Sequence, residues 1–250
     1  MSDRLKILDI WVDQVNMKDA LARVEIFVER GARPHTVFAS NPEKNFSVPK
    51  DALLYESFRN ADLLIPDGIG VVEAARLLHG IKLTRVPGVE LMQNICELAS
   101  DRGYRVFLYG AKEEVSLKAC ENLKRFYTRL NIVGRANGYV EDDDMPSLVK
   151  AINDSKAQIL FLALGSPKQE KWLSIYATEL VTVRVCQGIG GTLDTIAGTV
   201  RRAPRWWRKM NLEWLYRLLA DPRRIRRQKL LPLFAYKVLA EKYRFTFQNV

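Results

Sequence analysis

Residues 63–70 read LLIPDGIG, and this stretch gives the first indication of the fold. An apolar run ends at Pro66, Asp67 and two glycines, and an amphipathic segment follows over residues 71–78. That order predicts a buried strand that delivers a carboxylate to the turn before a helix. Ligands of open α/β sheets bind beyond the carboxyl ends of the strands, so Asp67 is a candidate catalytic residue. An isolated Asp-Gly pair at this place is better explained as a helix cap.

The same strand-turn-helix order recurs along the chain. The other apolar runs of strand length are residues 5–12, 36–39, 105–109, 131–134, 158–164 and 181–186. Segments with the spacing of amphipathic helices lie between them. Strands that alternate with helices and are apolar on both faces are typical of a parallel sheet that is covered on both sides. We therefore predict an α/β fold with a mainly parallel, Rossmann-like sheet flanked by helices.

Polar side chains are placed at or just beyond the ends of several of these strands. In chain order they are Asn41, Asp67, Lys168, Gln169 and Asp194. Each one alone is explained as a cap or turn residue. Together they would surround one crevice at the carboxyl edge of the sheet, which predicts a binding site there.

Gly110 directly follows the strand at residues 105–109 and precedes a long amphipathic segment. A glycine at this position lets the chain turn tightly, so that the amino terminus of the next helix can face a diphosphate. The sequence has neither GxGxxG nor GxxxxGK[ST], so the dinucleotide and Walker interpretations are weak. On spacing alone, an ordinary strand-helix turn explains Gly110 as well.

Composition excludes several classes of site. The three cysteines are far apart without a CxxC, and the two histidines have no ligand-spaced partner, which argues against a disulfide framework, a zinc site and a histidine-based triad. The acidic run at residues 142–144 has the character of a solvated helix start.

The sequence has no signal-peptide core and no apolar run of about 18 residues. We expect a protein of the cytoplasmic side that does not span the membrane.

The basic charge is concentrated at one end of the chain. The formal net charge is +10, and residues 201–250 hold 14 Lys and Arg against 3 Asp and Glu. Tryptophans accompany the cations in RRAPRWWRK, at residues 201–209. This asymmetry predicts an anionic partner, either a membrane surface with acidic lipids or a nucleic acid.

Eight motifs in a fixed order span nearly the whole chain. They are SNPEK (40–44), PDGIGVV (66–72), RVPGVEL (85–91), FLYGAKEE (107–114), ALGSPKQEKW (163–172), GIGGTLDTIAG (188–198), RRAPRWW (201–207) and LEWLYRLLADPRRIRR (212–227). Together they resemble the WecG/TagA/CpsF glycosyltransferase family, and the PKQE and EWLYRL blocks are its most specific parts. The resemblance implies an inverting, metal-independent transferase without a cofactor, at the inner face of the cell membrane. Such enzymes move N-acetylmannosamine, its uronic acid or a related hexose from a UDP donor to a polyprenyl-diphosphate-linked saccharide in cell-surface polysaccharide synthesis.

The resemblance also implies roles for single residues. Inverting transfer needs a base that takes the proton of the acceptor hydroxyl while UDP departs, and Asp67 stands at the position of that base. The expected substrate-binding residues are Asn41, Arg85, Gly110, Lys168, Gln169, Gln187 and Asp194. Many members of the family carry a threonine where this chain has Ala39, which leaves open any hydroxyl contact from that segment.

The charge distribution and the family resemblance together imply two domains. Residues 1–200 would form the catalytic core with the UDP-sugar site, and residues 201–250 a basic appendage that associates with the membrane and completes the active site. The resemblance assigns three arginines of the appendage, Arg217, Arg224 and Arg227, to the UDP diphosphate or the membrane. It also allows a homo-oligomer.

Two alternatives from other classes remain at this point. A nucleic-acid-binding α/β protein would use the basic tail to grip phosphates, but it gives the polar strand ends no purpose. An oxidoreductase with a nucleotide cofactor is disfavoured by the missing glycine fingerprint. The transferase interpretation predicts no nucleic-acid partner.

Overall fold

The fold is built on a six-stranded parallel sheet. The structure is a computed structural model that describes residues 4–220 and 225–248, and the side chains of residues 217, 226, 227 and 245–248 also lie outside this description. The strands are β1 (Arg4–Ile7), β2 (Ile10–Asp13), β3 (His35–Ser40), β4 (Leu63–Pro66), β5 (Arg105–Gly110), β6 (Asn131–Ala136), β7 (Ile159–Ala163) and β8 (Val185–Gly188). The sheet has the order β4-β3-β8-β7-β5-β6, and all of its pairings are parallel. The predicted α/β, Rossmann-like fold is therefore confirmed.

Helices cover both faces of this sheet. They are α1 (Met17–Arg30), α2 (Lys44–Ser47), α3 (Ala52–Arg59), α4 (Ile69–His79), α5 (Gly88–Arg102), α6 (Glu113–Phe126), α7 (Met145–Asp154), α8 (Lys168–Tyr176), α9 (Thr192–Ala197), α10 (Arg205–Lys209), α11 (Glu213–Ala220), α12 (Ile225–Gln228) and α13 (Leu230–Gln248). One apolar cluster joins α1, α5 and α6 to the sheet, and a second joins α3, α7 and α8 to it. Every residue of β7 is buried, because this inner strand has helices above and below it.

The prediction of one strand over residues 5–12 was wrong, because this segment forms a β-hairpin. Leu8 has a φ of 53° and turns the chain between β1 and β2, which pair antiparallel outside the main sheet. The turn was hidden in the sequence because leucine is not a typical turn residue. Asp13 is fully buried and accepts hydrogen bonds from Arg4 Nε (2.7 Å) and the Leu64 N–H (2.8 Å), which fixes the hairpin to β4.

The last predicted strand, over residues 181–186, is displaced toward the carboxyl end. Val181 is exposed, and the Arg184 N–H donates to the Gln158 carbonyl (2.8 Å) ahead of the ladder, so β8 begins only at Val185. β8 continues through Gly188, which places Gln187 inside the strand instead of after it. Gln187 consequently lies among the buried residues of the sheet.

The carboxy-terminal helices pack on the edge of the core. Phe234 and Val238 of α13 are buried in one apolar cluster with Val71 and Ala74 of α4. Trp207 of α10 packs against α11, while the neighbouring Trp206 is 57% exposed. Within residues 4–220 and 225–248, none of the helices combines the length and the hydropathy that crossing a bilayer requires.

Candidate active site

Asp67 is the first residue beyond β4, at the carboxyl edge of the sheet. Its N–H donates to the carbonyls of Ser40 (3.0 Å) and Ile65 (2.9 Å), which fixes the turn. Gly68 follows with a φ of 112°, a conformation that favours glycine, and α4 starts at the next residue. A Cβ atom added at Gly88 would lie 3.6 Å from Asp67 Oδ2, so this glycine keeps the space beside the carboxylate open. The partly exposed carboxylate is therefore held in a fixed place that a substrate can reach.

Asn41 lies beside Asp67, directly after β3. Its Oδ1 accepts a hydrogen bond from the Lys44 N–H (3.3 Å) at the start of α2. Pro42 packs on the first turn of α4, where a Cβ atom added at Gly70 would come within 2.6 Å of the proline Cγ. The structure thus brings Asn41 and Asp67 together, and both line one cleft of about 480 Å³.

This opening, which we call the Asp67 cleft, lies between α4 and helices α11 to α13. Its polar lining residues are Asn41, Glu43, Asp67, Glu73 and Gln228. Its apolar walls include Leu77, Trp214, Leu231, Phe234 and Leu239. The cleft therefore combines a carboxylate at the sheet edge with apolar and aromatic walls, the usual construction of a small-molecule site.

Gln169 fixes the loop after β8. Its Oε1 accepts from the Gly190 N–H (3.1 Å), and its Nε2 donates to Glu170 Oε1 (3.4 Å). The side chain crosses so close to the backbone that a Cβ atom added at Gly188 would lie 2.5 Å from its Nε2. This predicted substrate-binding residue is buried, and both atoms of its amide group bond to neighbouring protein groups.

Gln187 connects β8 to the start of α5. Its Nε2 donates to the Gly88 carbonyl (3.1 Å), next to the carboxylate of Asp67. Its buried Oε1 has no hydrogen-bond partner among the residues that the structure describes. Gln187 therefore helps to position the Asp67 surroundings and keeps one acceptor unused.

A buried ion pair that sequence reasoning did not single out lies behind Asn41. Lys44 Nζ lies 2.8 Å from Glu170 Oε1, and their side chains are 9% and 1% exposed. The ammonium group also contacts Ser166 Oγ and lies 4.9 Å above the ring of Phe58. The pair joins the segments that follow β3 and β7. The only signal in the sequence was that both residues fall inside the quoted SNPEK and PKQE motifs.

Three other expected residues lie over different strand ends, and none lines the Asp67 cleft. Lys168 is exposed at the start of α8, and Asp194 is partly exposed in the first turn of α9. Gly110 has a φ of 126°, and a Cβ atom added to it would come within 2.6 Å of the Ala163 carbonyl oxygen. The packing of β5 against the end of β7 is sufficient to require this glycine.

Arg85 extends toward the carboxy-terminal helices. Its guanidinium makes long contacts with Asn211 Oδ1 (3.4 Å) and Glu213 Oε2 (3.5 Å). The next residue, Val86, donates its N–H to the Pro66 carbonyl (2.8 Å), so the Arg85 loop is tied to the end of β4. Arg85 is thus near the Asp67 turn but faces a second opening.

We call this second opening, of about 540 Å³, the basic cleft. Its lining residues are Ile69, Val72, Leu83, Thr84, Arg85, Pro87, Glu90, Arg205, Arg208, Lys209 and Asn211. Ile69 also lines the Asp67 cleft, so the two openings share a wall. The other three expected arginines are not placed by the structure: Arg224 lies outside the described residues, as do the side chains of Arg217 and Arg227.

Three titratable groups with shifted pKa values, Cys96, Cys186 and Asp62, line neither cleft. Burial raises the pKa of the Cys96 thiol to about 12 and also raises that of Cys186, so both thiols stay neutral. Burial alone would raise the pKa of Asp62, but hydrogen bonds from Arg33, His35 and the backbone hold it below its ordinary value. Among the described residues, no three His, Cys, Asp or Glu side chains are grouped as metal ligands would be.

Known proteins resemble the chain over most of its length. The sequence model of the Glycosyl transferase WecG/TagA/CpsF family matches residues 5–248. A Bacillus subtilis (strain 168) protein is 35% identical over 202 residues, which are 81% of this chain and 78% of that protein. A Staphylococcus aureus (strain MRSA252) protein is 33% identical over 241 residues, 96% of this chain and 93% of that protein. Both are named N-acetylglucosaminyldiphosphoundecaprenol N-acetyl-beta-D-mannosaminyltransferase.

Proposed function

The chain belongs to the WecG/TagA/CpsF family of glycosyltransferases, and from this premise we propose that it transfers N-acetylmannosamine or a related sugar from a UDP donor to a saccharide on a polyprenyl diphosphate. The names of both relatives contain the mannosaminyl group and the diphosphoundecaprenol acceptor. We further propose that the transfer is inverting and needs no divalent metal.

The observation that supports this proposal most directly is the placement of Asp67. Its carboxylate lies at the sheet edge beside Asn41 and opens into a cleft with aromatic walls. In the proposed reaction, an oxygen of the acceptor sugar attacks the anomeric carbon of the donor. Asp67 takes the proton of that hydroxyl, while the bond between the anomeric carbon and the diphosphate oxygen breaks and UDP leaves with its electron pair.

The remaining site residues are assigned by their positions. Asn41, at the side of Asp67, suits a sugar hydroxyl because its amide both donates and accepts. We propose that the donor lies over the ends of β5, β7 and β8, where Gly110, Lys168, Gln187 and Asp194 are found, with Gln169 holding the loop after β8. The arginines that the resemblance assigns to the UDP diphosphate, Arg217, Arg224 and Arg227, would balance the charge of the departing diphosphate, and their side chains lie outside the described residues.

We propose that the enzyme works at the inner surface of the cell membrane, because the acceptor is a lipid. The carboxy-terminal helices present exposed apolar side chains among their cations, a composition that favours the interfacial region of a bilayer. These side chains include Trp206, Met210, Leu219 and Ile225. No nucleic-acid partner is proposed.

The test is release of UDP from UDP-N-acetylmannosamine with an N-acetylglucosaminyl-diphospho-lipid acceptor in detergent. We expect Asp67→Asn to lower the turnover at least about 100-fold, because a general base contributes about that much or more. UDP affinity by calorimetry should stay within about twofold, since the base has no role in holding the nucleotide. Asp143→Asn, at an exposed position that lines neither cleft, is the matched control and should behave as wild type.

Two results would oppose the proposal. An Asp67→Asn variant with most of its turnover would remove Asp67 from the role of base. Loss of acceptor-dependent release on addition of EDTA, with recovery on addition of Mg²⁺, would contradict the metal-independent mechanism. A donor panel of UDP-sugars in the same assay identifies the sugar.

A further inference from the structure

The basic cleft contains two cationic groups that have no ion-pair partner among the described residues. Four of its lining residues are cationic and one is acidic. The acidic residue, Glu90, is already paired with Arg202 (2.6 Å) and Arg208 (3.3 Å). Neither Arg205 nor Lys209 forms an ion pair with any described residue. The cleft therefore has a surplus of positive charge that an anion would balance.

Donor groups in the cleft are also available. Arg208 is only 25% exposed at its side chain, and its buried Nε has no hydrogen-bond partner within the described part of the chain. Arg85 is 16% exposed, and among the described residues its guanidinium makes long contacts to Asn211 and Glu213 alone. Guanidinium groups arranged in this way match the oxygens of phosphate, which they can bind in bidentate fashion.

The cleft lies at a short distance from the candidate base. Ile69, two residues after Asp67, lines both openings, and the Arg85 loop is bonded to the end of β4 through Val86. Gly88 borders the Asp67 carboxylate, while the adjacent Pro87 lines the basic cleft. A ligand with a sugar hydroxyl at Asp67 can therefore extend its next group into the basic cleft.

The outer rim of the cleft suits a lipid. α10 contributes Arg205, Arg208 and Lys209 to the lining. Trp206 on the same helix (57%) and Met210 directly after it (58%) are exposed. A phosphate bound between these cations would have apolar side chains next to it, as at the surface of a bilayer.

We propose that the basic cleft binds the diphosphate of the lipid-linked acceptor while the acceptor sugar occupies the Asp67 cleft. This assignment rests on the proposed function. It gives Arg205, Arg208 and Lys209 a part in acceptor binding, and it separates the acceptor diphosphate from the donor diphosphate over the other strand ends.

The test uses the full chain and the double variant Arg205→Glu/Lys209→Glu. Both side chains are exposed and make no described ion pair, so the change reverses the charge of the cleft without removing a packing contact. The matched control is Lys124→Glu/Arg125→Glu, which makes the same charge change on α6 beside the opposite edge strand. In the detergent assay we expect the KM for the acceptor to rise at least about tenfold, the loss of roughly one good phosphate contact. The kcat should stay within about twofold, and the control should match wild type.

Direct binding keeps this inference separate from the proposed function. With the protein saturated by UDP, calorimetry with farnesyl diphosphate should show binding to wild type and control, and about tenfold weaker binding to the cleft variant. If no acceptor supports UDP release by wild type, the proposed function fails while this binding still tests the cleft.

Three results would overturn the inference. An unchanged acceptor KM together with unchanged farnesyl diphosphate binding would show that the cleft does not hold the acceptor diphosphate. A parallel loss of UDP affinity would make the cleft part of the donor site. If the cleft variant bound phosphatidylglycerol vesicles less well than wild type but had normal kinetics in detergent, the cleft would be a site for phospholipid headgroups.

Discussion

Replacing Lys44 by Met should destabilise the protein more than any exposed ion pair could. Lys44 and Glu170 are almost completely buried, with their charged atoms 2.8 Å apart. Methionine has a similar length and is apolar, so the change removes the cation without creating a large cavity. The carboxylate of Glu170 would remain in the interior without its counter-charge.

The expected loss is about 3–5 kcal/mol in the free energy of unfolding, the usual effect of removing one partner of a buried pair. One carboxylate oxygen, Glu170 Oε2, already has no described hydrogen-bond partner, so little local compensation is available. Urea unfolding followed by tryptophan fluorescence measures this difference, since Trp172 lies two residues from Glu170 on α8.

A double variant separates lost pairing from lost packing. Lys44→Met/Glu170→Met removes both charges and should be more stable than Lys44→Met alone, with a coupling of about 2 kcal/mol or more. The control is Lys150→Met, which breaks an exposed pair with Asp154 at side chains that are 74% and 63% exposed. It should change stability by only about 0.3–0.5 kcal/mol. If Lys44→Met were as mild as this control, or if the two buried substitutions were additive, the pair would not have the energetic role inferred here.

Three further substitutions should change stability or membrane binding. Gly110→Ala should lower the melting temperature and the soluble yield, because its Cβ atom would press on the Ala163 carbonyl at a positive φ. Asp62→Asn should lower the free energy of unfolding by about 1.5–3 kcal/mol at neutral pH, the usual contribution of hydrogen bonds to a charged group. The pKa of Asp62 is lowered in the folded state, so its contribution is present above the ordinary value of about 3.9 and is lost as the pH falls through the lowered pKa. Urea titrations at several pH values would show the two proteins converging in acid. Trp206→Ser/Met210→Ser should weaken flotation with anionic vesicles while leaving unfolding nearly unchanged, because both side chains are exposed.

The sheet could be predicted from the sequence because most of its strands are visible there as apolar runs. Runs such as residues 158–164 are apolar throughout, and a parallel strand with helices on both faces requires that. The hairpin at β1 and β2 could not be predicted in the same way. Its turn contains Leu8 at a positive φ. Leucine rarely adopts this backbone conformation, so the amino-acid type gives no indication of the turn.

The position of the candidate site could be predicted from the sequence, but the contacts between its side chains could not. Asp67 and Asn41 follow adjacent parallel strands, so topology alone brings them to one edge. The Lys44–Glu170 pair spans 126 positions, and no periodicity links residues so far apart in sequence. The direction of Arg85 was equally hidden, because it depends on how the carboxy-terminal helices return to the core.

Both clefts take one of their walls from the last fifth of the chain, and this limits what that part can be. Phe234 and Trp214 line the Asp67 cleft, while Arg208 lines the basic cleft and pairs with Glu90 on α5. A chain that ended near residue 200 would retain Asp67 but would lose the aromatic wall of one cleft and most cations of the other. A segment that served only as a tether would not need to contribute side chains to either opening. The helices proposed to contact the membrane therefore also form walls beside the proposed base, so that membrane contact and substrate binding would involve the same helices.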